Sequence, residues 1–221
     1  MISIQDRAAA LHQNVPPNWY VNKLKGSRFD NPLHKMWHKV RFREVSEMVD
    51  PLGGVVLDIG CADGVFSKVV FNKRRASKFI GIDVLPKSIS FAKRRFARSK
   101  KMSFRIADAH NLPFREETFN LVVCLEAMEH FENPRKVIEE IRRVLVSSGD
   151  VIILVPAENW LFRTLWPIWE LGPGKIWKGT HLNHFSGDQI VELMKQVGFE
   201  ISDNHKFWFG MLQAVKGKKR K

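Results

Sequence analysis

The residues Val55-Val56-Leu57-Asp58-Ile59-Gly60-Cys61-Ala62-Asp63-Gly64 decide the fold class of this 221-residue chain. The apolar run from Val55 to Ile59 predicts a buried strand, and Gly60 and Gly64 predict a tight turn into a helix. Such a turn lets the backbone approach a ligand closely while the first amides of the helix face it. Because the carboxylates of Asp58 and Asp63 would repel a pyrophosphate, we expect a ligand with a cationic group instead.

Three further acids take up equivalent positions along the chain. Asp83 and Asp108 follow Asp58 at successive intervals of 25 residues, each near the end of a short apolar run, and Glu126 follows a fourth run. In an open parallel sheet the carboxyl ends of the strands meet at one edge, where ligands bind. We therefore expect these acids to surround one site, with Asp83 placed to accept hydrogen bonds from the hydroxyls of a ribose.

Short apolar runs alternate with longer amphipathic ones, which predicts repeated strand–helix units. We expect an α/β fold with a Rossmann-like, mostly parallel seven-stranded sheet, flanking helices, an antiparallel edge strand and an N-terminal helical cap. The predicted strands cover about residues 54–59, 78–83, 102–107, 119–124, 150–155, 199–208 and 211–216. The predicted helices cover about residues 64–72, 88–100, 134–145 and 188–197.

Two regions are expected to sit outside this repeating pattern. Residues 1–50 predict a helical cap of two or three helices, with breaks at residues 15–18 and 26–27 and a start at Asn31-Pro32. The helix predicted from Leu33 to Val49 is amphipathic, and we expect Arg41 on its solvated basic face. Residues 51–221 predict the main domain, with an irregular lid insertion at about 157–187. Five lid aromatics could cover an acceptor, or could form a hydrophobic cluster under a long loop: Trp160, Phe162, Trp166, Trp169 and Trp177.

The composition indicates a globular protein with a strongly basic surface. The net charge is +13, which predicts a polyanionic neighbour, such as an anionic membrane surface or nucleic acid, or serves solubility alone. No apolar run approaches the roughly 20 residues of a spanning helix, and the first residues do not resemble a secretion signal. The two cysteines predict a reducing compartment rather than a disulfide framework. We expect a cytoplasmic protein that could also lie on a membrane.

Successive segments resemble the motifs of class I S-adenosylmethionine-dependent methyltransferases, in particular the small-molecule branch that includes the ubiquinone and menaquinone biosynthesis enzymes. The resemblance covers about residues 50–216. It rests on Val56–Gly64, Gly81–Asp83, Ala107–Ala109 with Leu112–Phe114, Glu126–His130, Arg142–Asp150, His181–Phe185 and Val197–Phe199. One departure is Ala62, where the family has a glycine.

The resemblance implies S-adenosyl-L-methionine as the cofactor and assigns roles to individual residues. Glu126 and Ala127 would lie near its methionine moiety, and Asp58 would anchor the amino end through its loop. The ribose would be held by Asp83, and the adenine would contact Val84. The expected cofactor-binding residues are Asp58, Gly60, Cys61, Gly64, Asp83, Val84, Asp108, Ala109, Glu126 and Ala127.

The candidate catalytic residues are three histidines. Methyl transfer from a sulfonium needs alignment above all, and it needs a base only where the acceptor must lose a proton. Histidine suits that task near pH 7. His130 follows the fourth strand, and His181 and His184 fall in the predicted lid. We expect no metal site, because the sequence shows no further ligands near His181 and His184.

Three functions fit these observations. The first is methyl transfer, by in-line displacement, to a small-molecule or lipid-like, quinone-like acceptor. The second is RNA methylation, which the basic runs Lys73-Arg74-Arg75 and Lys93-Arg94-Arg95 favour. One observation speaks against RNA methylation. An amine-methylating enzyme of the N-P-P-Y type would carry that tetrad after the fourth strand, where this chain has Cys124-Leu125-Glu126-Ala127. The third is a cofactor-binding regulatory protein without turnover.

Overall fold

The chain folds around one sheet that is covered by helices on both faces. In the computed structural model the described residues are 7, 10–12, 15, 16, 32–172 and 174–220, with the side chains of 32–35 left aside. The strands are β1 (Val55–Ile59), β2 (Lys78–Asp83), β3 (Met102–Ile106), β4 (Phe119–Leu125), β5 (Leu145–Pro156), β6 (Phe199–Phe207) and β7 (Leu212–Lys219). The helices are α1 (Pro32–Met48), α2 (Val65–Arg74), α3 (Pro86–Arg95), α4 (Pro134–Val144), α5 (Trp160–Glu170) and α6 (Gln189–Gln196). Single 3-10 turns cover Met128–His130 and Lys175–Trp177.

The seven strands lie in the order β3-β2-β1-β4-β5-β7-β6. The first five are parallel, while β7 is antiparallel to both β5 and β6. The fold class and the antiparallel edge predicted from the sequence are therefore confirmed. The last strand of the chain, β7, lies inside the sheet between β5 and β6.

Alternate residues of each strand feed two separate cores. Leu57 and Ile59 pack with α4 and α6 on one face, while Val56 packs with α1, α2 and α3 on the other. This alternation is the two-residue period of a strand that is buried on both faces. It places the side chain of Asp58 on the same face as Val56, beneath α2.

The predictions for the fifth strand and for the segment after Pro156 were wrong. The fifth strand begins at Leu145 instead of residue 150, because Leu145 already pairs with Phe119, and a bulge in β5 over residues 146–149 follows before Asp150 pairs with Leu121. The segment after Pro156, predicted to be irregular, contains α5. Asn159 caps this helix by accepting a hydrogen bond from the Phe162 amide at 2.9 Å, and Pro167 lies within it. Proline usually ends a helix, which is why the sequence favoured a loop here.

Only the last part of the predicted N-terminal cap belongs to the described residues as a complete element. Helix α1 begins at Pro32, as the sequence predicts, and ends at Met48. The predicted breaks at Pro17-Asn18 and Gly26-Ser27, and the cap residue Asn31, lie outside the described residues. Within the described part of the chain, no helix combines the length and apolar character needed to cross a membrane.

Candidate active site

One cavity opens at the carboxyl ends of β1, β2 and β4. Nine of the ten predicted cofactor-binding residues line it: Asp58, Gly60, Cys61, Asp83, Val84, Asp108, Ala109, Glu126 and Ala127. Gly64 stands apart, since it caps the start of α2 behind the lining. His130 also lines the cavity, together with Leu11, His12, Trp177 and Leu182 from segments distant in sequence. His181 and His184 are not among the lining residues.

The turn after β1 brings backbone directly against the cavity. The amides of Gly60 and Cys61 both donate to the carbonyl oxygen of Ile82 at 2.9 Å, which folds the turn over β2. Gly60 has a φ of 72°, and a Cβ there would lie 2.4 Å from the Cβ of Ala127. A side chain at position 60 would therefore collide with the opposite wall. Ala62 adopts the same left-handed region with a φ of 45°, so alanine takes the conformation of the glycine found in related turns.

Cys61 contributes to the cavity as a packing residue. Its side chain is buried within the core on the α1–α3 face. Burial raises the pKa of the thiol well above its usual value, and the nearby carboxyls of Asp58 and Asp83 raise it further. A thiol in this state is a poor nucleophile. We therefore assign Cys61 a steric role.

Asp58 is a buried carboxyl directed at helix α2. Only 2% of the residue is exposed, and its Oδ2 accepts a hydrogen bond from the Ser67 hydroxyl. Burial raises the pKa of Asp58 to about 7, which the Ser67 bond partly opposes. Asp58 thus fixes the start of α2 against β1 and also forms part of the cavity lining.

The raised pKa of Asp58 predicts a particular dependence of stability on pH. The folded protein keeps the Asp58 proton until about pH 7, whereas the unfolded chain releases it near the ordinary value of 3.8. The Asp58 contribution therefore weakens as pH rises between these values, by up to about 1.4 kcal/mol per pH unit. Asp58→Asn keeps an acceptor for Ser67 but cannot titrate. We expect urea unfolding to show that the free energy of unfolding of the variant, relative to that of the wild type, rises by about 1 kcal/mol from pH 5.5 to pH 6.5. A constant difference would contradict the assignment.

Asp83 is the last residue of β2, and Asp108 lies two residues after the end of β3. Both carboxylates are held by local hydrogen bonds. The two oxygens of Asp83 accept from the amides of Ala62 at 3.0 Å and Leu85 at 2.9 Å. Burial raises the pKa of Asp83, although these amides oppose the shift. The Oδ1 of Asp108 accepts from the amide of His110 and lies 2.7 Å from His110 Nδ1. Since about 32% of the Asp108 side chain stays exposed, it can still meet a ligand.

Glu126 forms a buried ion pair that the sequence did not reveal. Its Oε2 accepts a hydrogen bond from Arg41 Nη1 of α1, and the Arg41 side chain is 4% exposed. Arg41 also lies 2.6 Å from His38 Nδ1 and packs over the rings of Trp37 and Phe66. The prediction that Arg41 lies on a solvated face was therefore wrong. Glu126 Oε1 is buried and has no hydrogen-bond partner among the described residues, so it can accept from a ligand.

His130 joins the cavity wall to the segment after α5. Its Nδ1 lies 2.7 Å from the carbonyl oxygen of Thr180, a contact that places a proton on Nδ1 and leaves Nε2 as an acceptor. Its ring stacks on Trp177 and meets His12 edge-on. Burial lowers the pKa of His130 to about 3, with a further lowering by His12. His130 is therefore neutral near pH 7.

His181 and His184 share one carboxylate, Glu158. Their Nδ1 atoms lie 3.8 and 2.6 Å from Glu158 Oε1. Burial lowers the pKa of His181, but Glu158 and Glu129 outweigh that effect, so the pKa is raised overall. His184 is 61% exposed and lies away from the cavity lining. Of the two, only His181 is close to His130, with ring centroids 5.3 Å apart.

Glu129 is a buried acid that the sequence reasoning missed. It is 2% exposed, and burial raises its pKa to about 7 while His181 opposes the rise. Its Oε2 has no hydrogen-bond partner in the described part of the chain. One ligand atom each from Glu129, His130 and His181 lie within 4.8 Å of one another, a spacing at which they could hold a metal ion. The fold therefore brings two further potential metal ligands, Glu129 and His130, close to His181, where the sequence showed none. The acid next to His130 in sequence was the signal that could have identified them.

The lid aromatics take three different positions. On the inner side of α5, Phe162 stacks on Trp166, and Trp169 lies against Trp166 at a tilt of 45°. Trp166 also stacks on His181 with centroids 5.0 Å apart. Trp177 reaches the cavity itself. Trp160, in contrast, is 77% exposed and faces away from this cluster. The inner aromatics thus form a hydrophobic cluster beside the cavity, and Trp177 is the one that lines it.

Comparison with known protein families places these features in context. The chain matches the profile of a methyltransferase domain over residues 33–204. It is 29% identical over 181 residues to a demethylmenaquinone methyltransferase of Thermotoga maritima, covering 74% of this chain and 78% of the relative. It is 27% identical over 124 residues to a ubiquinone biosynthesis O-methyltransferase of Xanthomonas axonopodis, covering 55% of this chain and 51% of that relative. The chain thus spans about half the length of the second.

Solved structures share the fold at low sequence identity. An S-adenosylmethionine-dependent methyltransferase of Thermotoga maritima superposes with a TM-score of 0.71 at 17% identity, covering 96% of this chain and 100% of the other. An N-methyltransferase of Bradyrhizobium japonicum, solved with S-adenosyl-L-homocysteine, superposes with a TM-score of 0.63 at 17% identity over 96% and 99% of the two chains. At this identity the superpositions establish the common fold.

Proposed function

Since the chain belongs to the class I S-adenosylmethionine-dependent methyltransferases, we propose that it methylates a small amphiphilic acceptor with a quinone-like ring. The observation that carries this proposal is the mixed character of the cavity lining. It combines the carboxyls of Asp58, Asp83 and Glu126, here called the acidic side, with the rings of His130 and Trp177, here called the aromatic side. The similarity to a demethylmenaquinone methyltransferase over 74% of this chain supports the same acceptor class.

The acidic side fits the cofactor. Three groups of S-adenosylmethionine are cationic or carry hydrogen-bond donors: the amino acid end, the ribose and the adenine. The cavity offers them an unpartnered buried oxygen on Glu126, the carboxylate of Asp83 and the partly exposed carboxylate of Asp108. Gly60 lies so close to Ala127 that a side chain at position 60 would not fit, so the turn can border the ligand only with a glycine there.

Individual residues would hold the cofactor as follows. Glu126 and the Gly60 turn would hold the methionine end, and Asp83 the ribose. Asp108 and Ala109 would contact the adenine, beside Val84. When bound, S-adenosylmethionine supplies a methyl group on a sulfonium, which an acceptor takes by in-line displacement.

The aromatic side would position the acceptor. Trp177 and His130 present stacked ring faces, and Leu182 adds apolar surface at the same wall. A flat, apolar ring would stack there at little conformational cost. His130 would accept a hydrogen bond from an acceptor hydroxyl through Nε2, because Thr180 occupies Nδ1. His181 contacts His130 outside the cavity lining, with ring centroids 5.3 Å apart.

The basic runs that favoured RNA as the acceptor differ in exposure. Arg74 is buried and bonds to the carbonyl oxygens of Gly53 and Asp50, so the run Lys73-Arg74-Arg75 is interrupted on the surface. The run Lys93-Arg94-Arg95 is exposed in the last turn of α3, where positive charges interact favourably with the helix dipole. The second run alone is a small footprint for RNA.

The acceptor class can be tested with labelled cofactor. The protein is incubated with methyl-labelled S-adenosylmethionine and separate lipid, quinone and RNA fractions, and products are analysed by mass spectrometry. We expect a gain of one methyl in the quinone or lipid fraction. Label confined to RNA would overturn the proposal in favour of RNA methylation. Cofactor binding without any methylated product would overturn it as well.

The proposed role of His130 gives a further prediction. His130→Asn retains an N–H donor for Thr180 but lacks the Nε2 acceptor. We expect kcat to fall about tenfold, with the cofactor affinity unchanged, because a hydrogen bond to the acceptor is lost in the transition state. The matched control is His184→Asn, which alters an exposed histidine outside the cavity lining and should leave kcat within about twofold. Full activity in the His130 variant would rule out its contact with the acceptor.

A further inference from the structure

The outer face of α5 carries an unusual set of exposed apolar side chains. Trp160, Ile168 and Leu171 are 77%, 62% and 84% exposed, and Leu165 adds to the same surface. Phe209, 80% exposed, lies beside the start of α5, since the Asn159 side chain donates to its carbonyl oxygen at 2.9 Å. We call these five residues the α5 patch. Single exposed apolar residues are ordinary, but a cluster of this size marks an interaction surface.

The α5 patch is not needed for the packing of the helix. Trp160, Ile168 and Leu171 recur at helical spacing on one side, while Phe162, Trp166 and Trp169 pack on the other side. The inner side already anchors α5 through Phe162, its buried residue. The outer apolar face of α5 is therefore free to be buried against a partner.

The charges around the patch indicate what that partner is. Arg163, Lys175 and Lys178 are exposed on and directly after α5. Glu170 is the only acid between Trp160 and Gly187, and it accepts a hydrogen bond from Trp166 Nε1 at 2.8 Å on the inner side. Tryptophan and long basic side chains beside exposed aliphatic residues are the composition of helices that lie in the interface of an anionic bilayer.

We propose that the α5 patch docks the protein on an anionic lipid bilayer. The proposal deepens the proposed function and rests on its amphiphilic acceptor, which would be held in the same bilayer. The inner face of α5 leads to the cavity through a short series of rings, from Trp166 to His181 and on to His130. If the outer face docked on the membrane, α5 and the rings of Trp166 and His181 would separate the membrane surface from His130 in the cavity wall.

The test measures membrane binding without turnover. The full chain is floated with vesicles of phosphatidylcholine alone, or with one fifth phosphatidylglycerol. We expect binding to the anionic vesicles, and we expect Ile168→Asp/Leu171→Asp to weaken it at least about tenfold, because two apolar contacts are replaced by repelled charges. Lys175→Glu/Lys178→Glu should weaken it by about fivefold or more for each position. The control Leu52→Asp alters a residue that is 72% exposed before β1, and it should bind like the wild type.

Other results would overturn the docking proposal. These are failure to bind anionic vesicles, equal binding by the Ile168→Asp/Leu171→Asp variant, or binding to neutral vesicles alone. A dimer in sedimentation that the same variant dissociates would assign the patch to a second copy of this chain. Titration with S-adenosyl-L-homocysteine shows whether each variant keeps its folded cofactor site. Because no methyl acceptor is used, a negative result here leaves the acceptor experiment to be judged separately.

Discussion

Arg41→Met is expected to lower the free energy of unfolding by about 3–5 kcal/mol, because it leaves the buried carboxylate of Glu126 without its cation. The ion pair is almost completely removed from water, and Arg41 also contacts His38, Trp37 and Phe66. The loss therefore combines an unpaired charge with disturbed packing. Urea unfolding at pH 7.5, followed by circular dichroism, measures it.

Two comparisons isolate the ion pair. Arg43→Met removes an arginine two residues later that is 64% exposed and pairs with Glu44 and Glu47, so it should destabilise the protein far less than Arg41→Met. Arg41→Met/Glu126→Gln removes both charges and should recover a large part of the loss. If Arg41→Met and Arg43→Met were equally stable, Glu126 would not depend on Arg41.

Asp83→Asn is expected to weaken the binding of S-adenosylmethionine by about 100-fold. Each hydrogen bond to a carboxylate contributes about 1.5–3 kcal/mol, and Asp83 would receive those of the ribose hydroxyls. The amide nitrogen introduced by the variant would also oppose the N–H of Ala62 or Leu85, which Asp83 now accepts. Isothermal titration with the cofactor measures the dissociation constant directly.

Asp203→Asn provides the control for this variant, since it removes the same charge from an exposed position on β6. Its dissociation constant should match that of the wild type. If Asp83→Asn bound the cofactor within threefold of the wild type, the ribose would have to be held elsewhere in the cavity.

The fold and the acidic edge could be predicted because both follow local rules. Asp58, Asp83 and Asp108 reach the same edge since each strand–helix unit returns the chain to the start of the next parallel strand. The sequence therefore carries this information as a regular interval. The helix α5 was missed for an equally local reason, because Pro167 and the following glycines resemble a loop.

The contacts that complete the cavity could not be predicted in this way. Arg41 and Glu126 are 85 residues apart, and His130 and Thr180 are 50 apart. Each pair depends on how a helix or loop packs over the sheet, which no spacing in the sequence records. The raised pKa of Glu129 has the same origin, since it follows from burial beneath the segment around His181.

The internal position of β7 has a consequence for the biosynthesis of the protein. Strand β5 pairs with β7 along Asp150–Pro156, so one edge of β5 stays open until residues 212–219 have left the ribosome. A nascent chain that ends before them would expose a long, apolar strand edge of the kind that recruits other chains. Cotranslational folding of this domain should therefore finish in one late step, with chaperone occupancy highest just before β7 emerges.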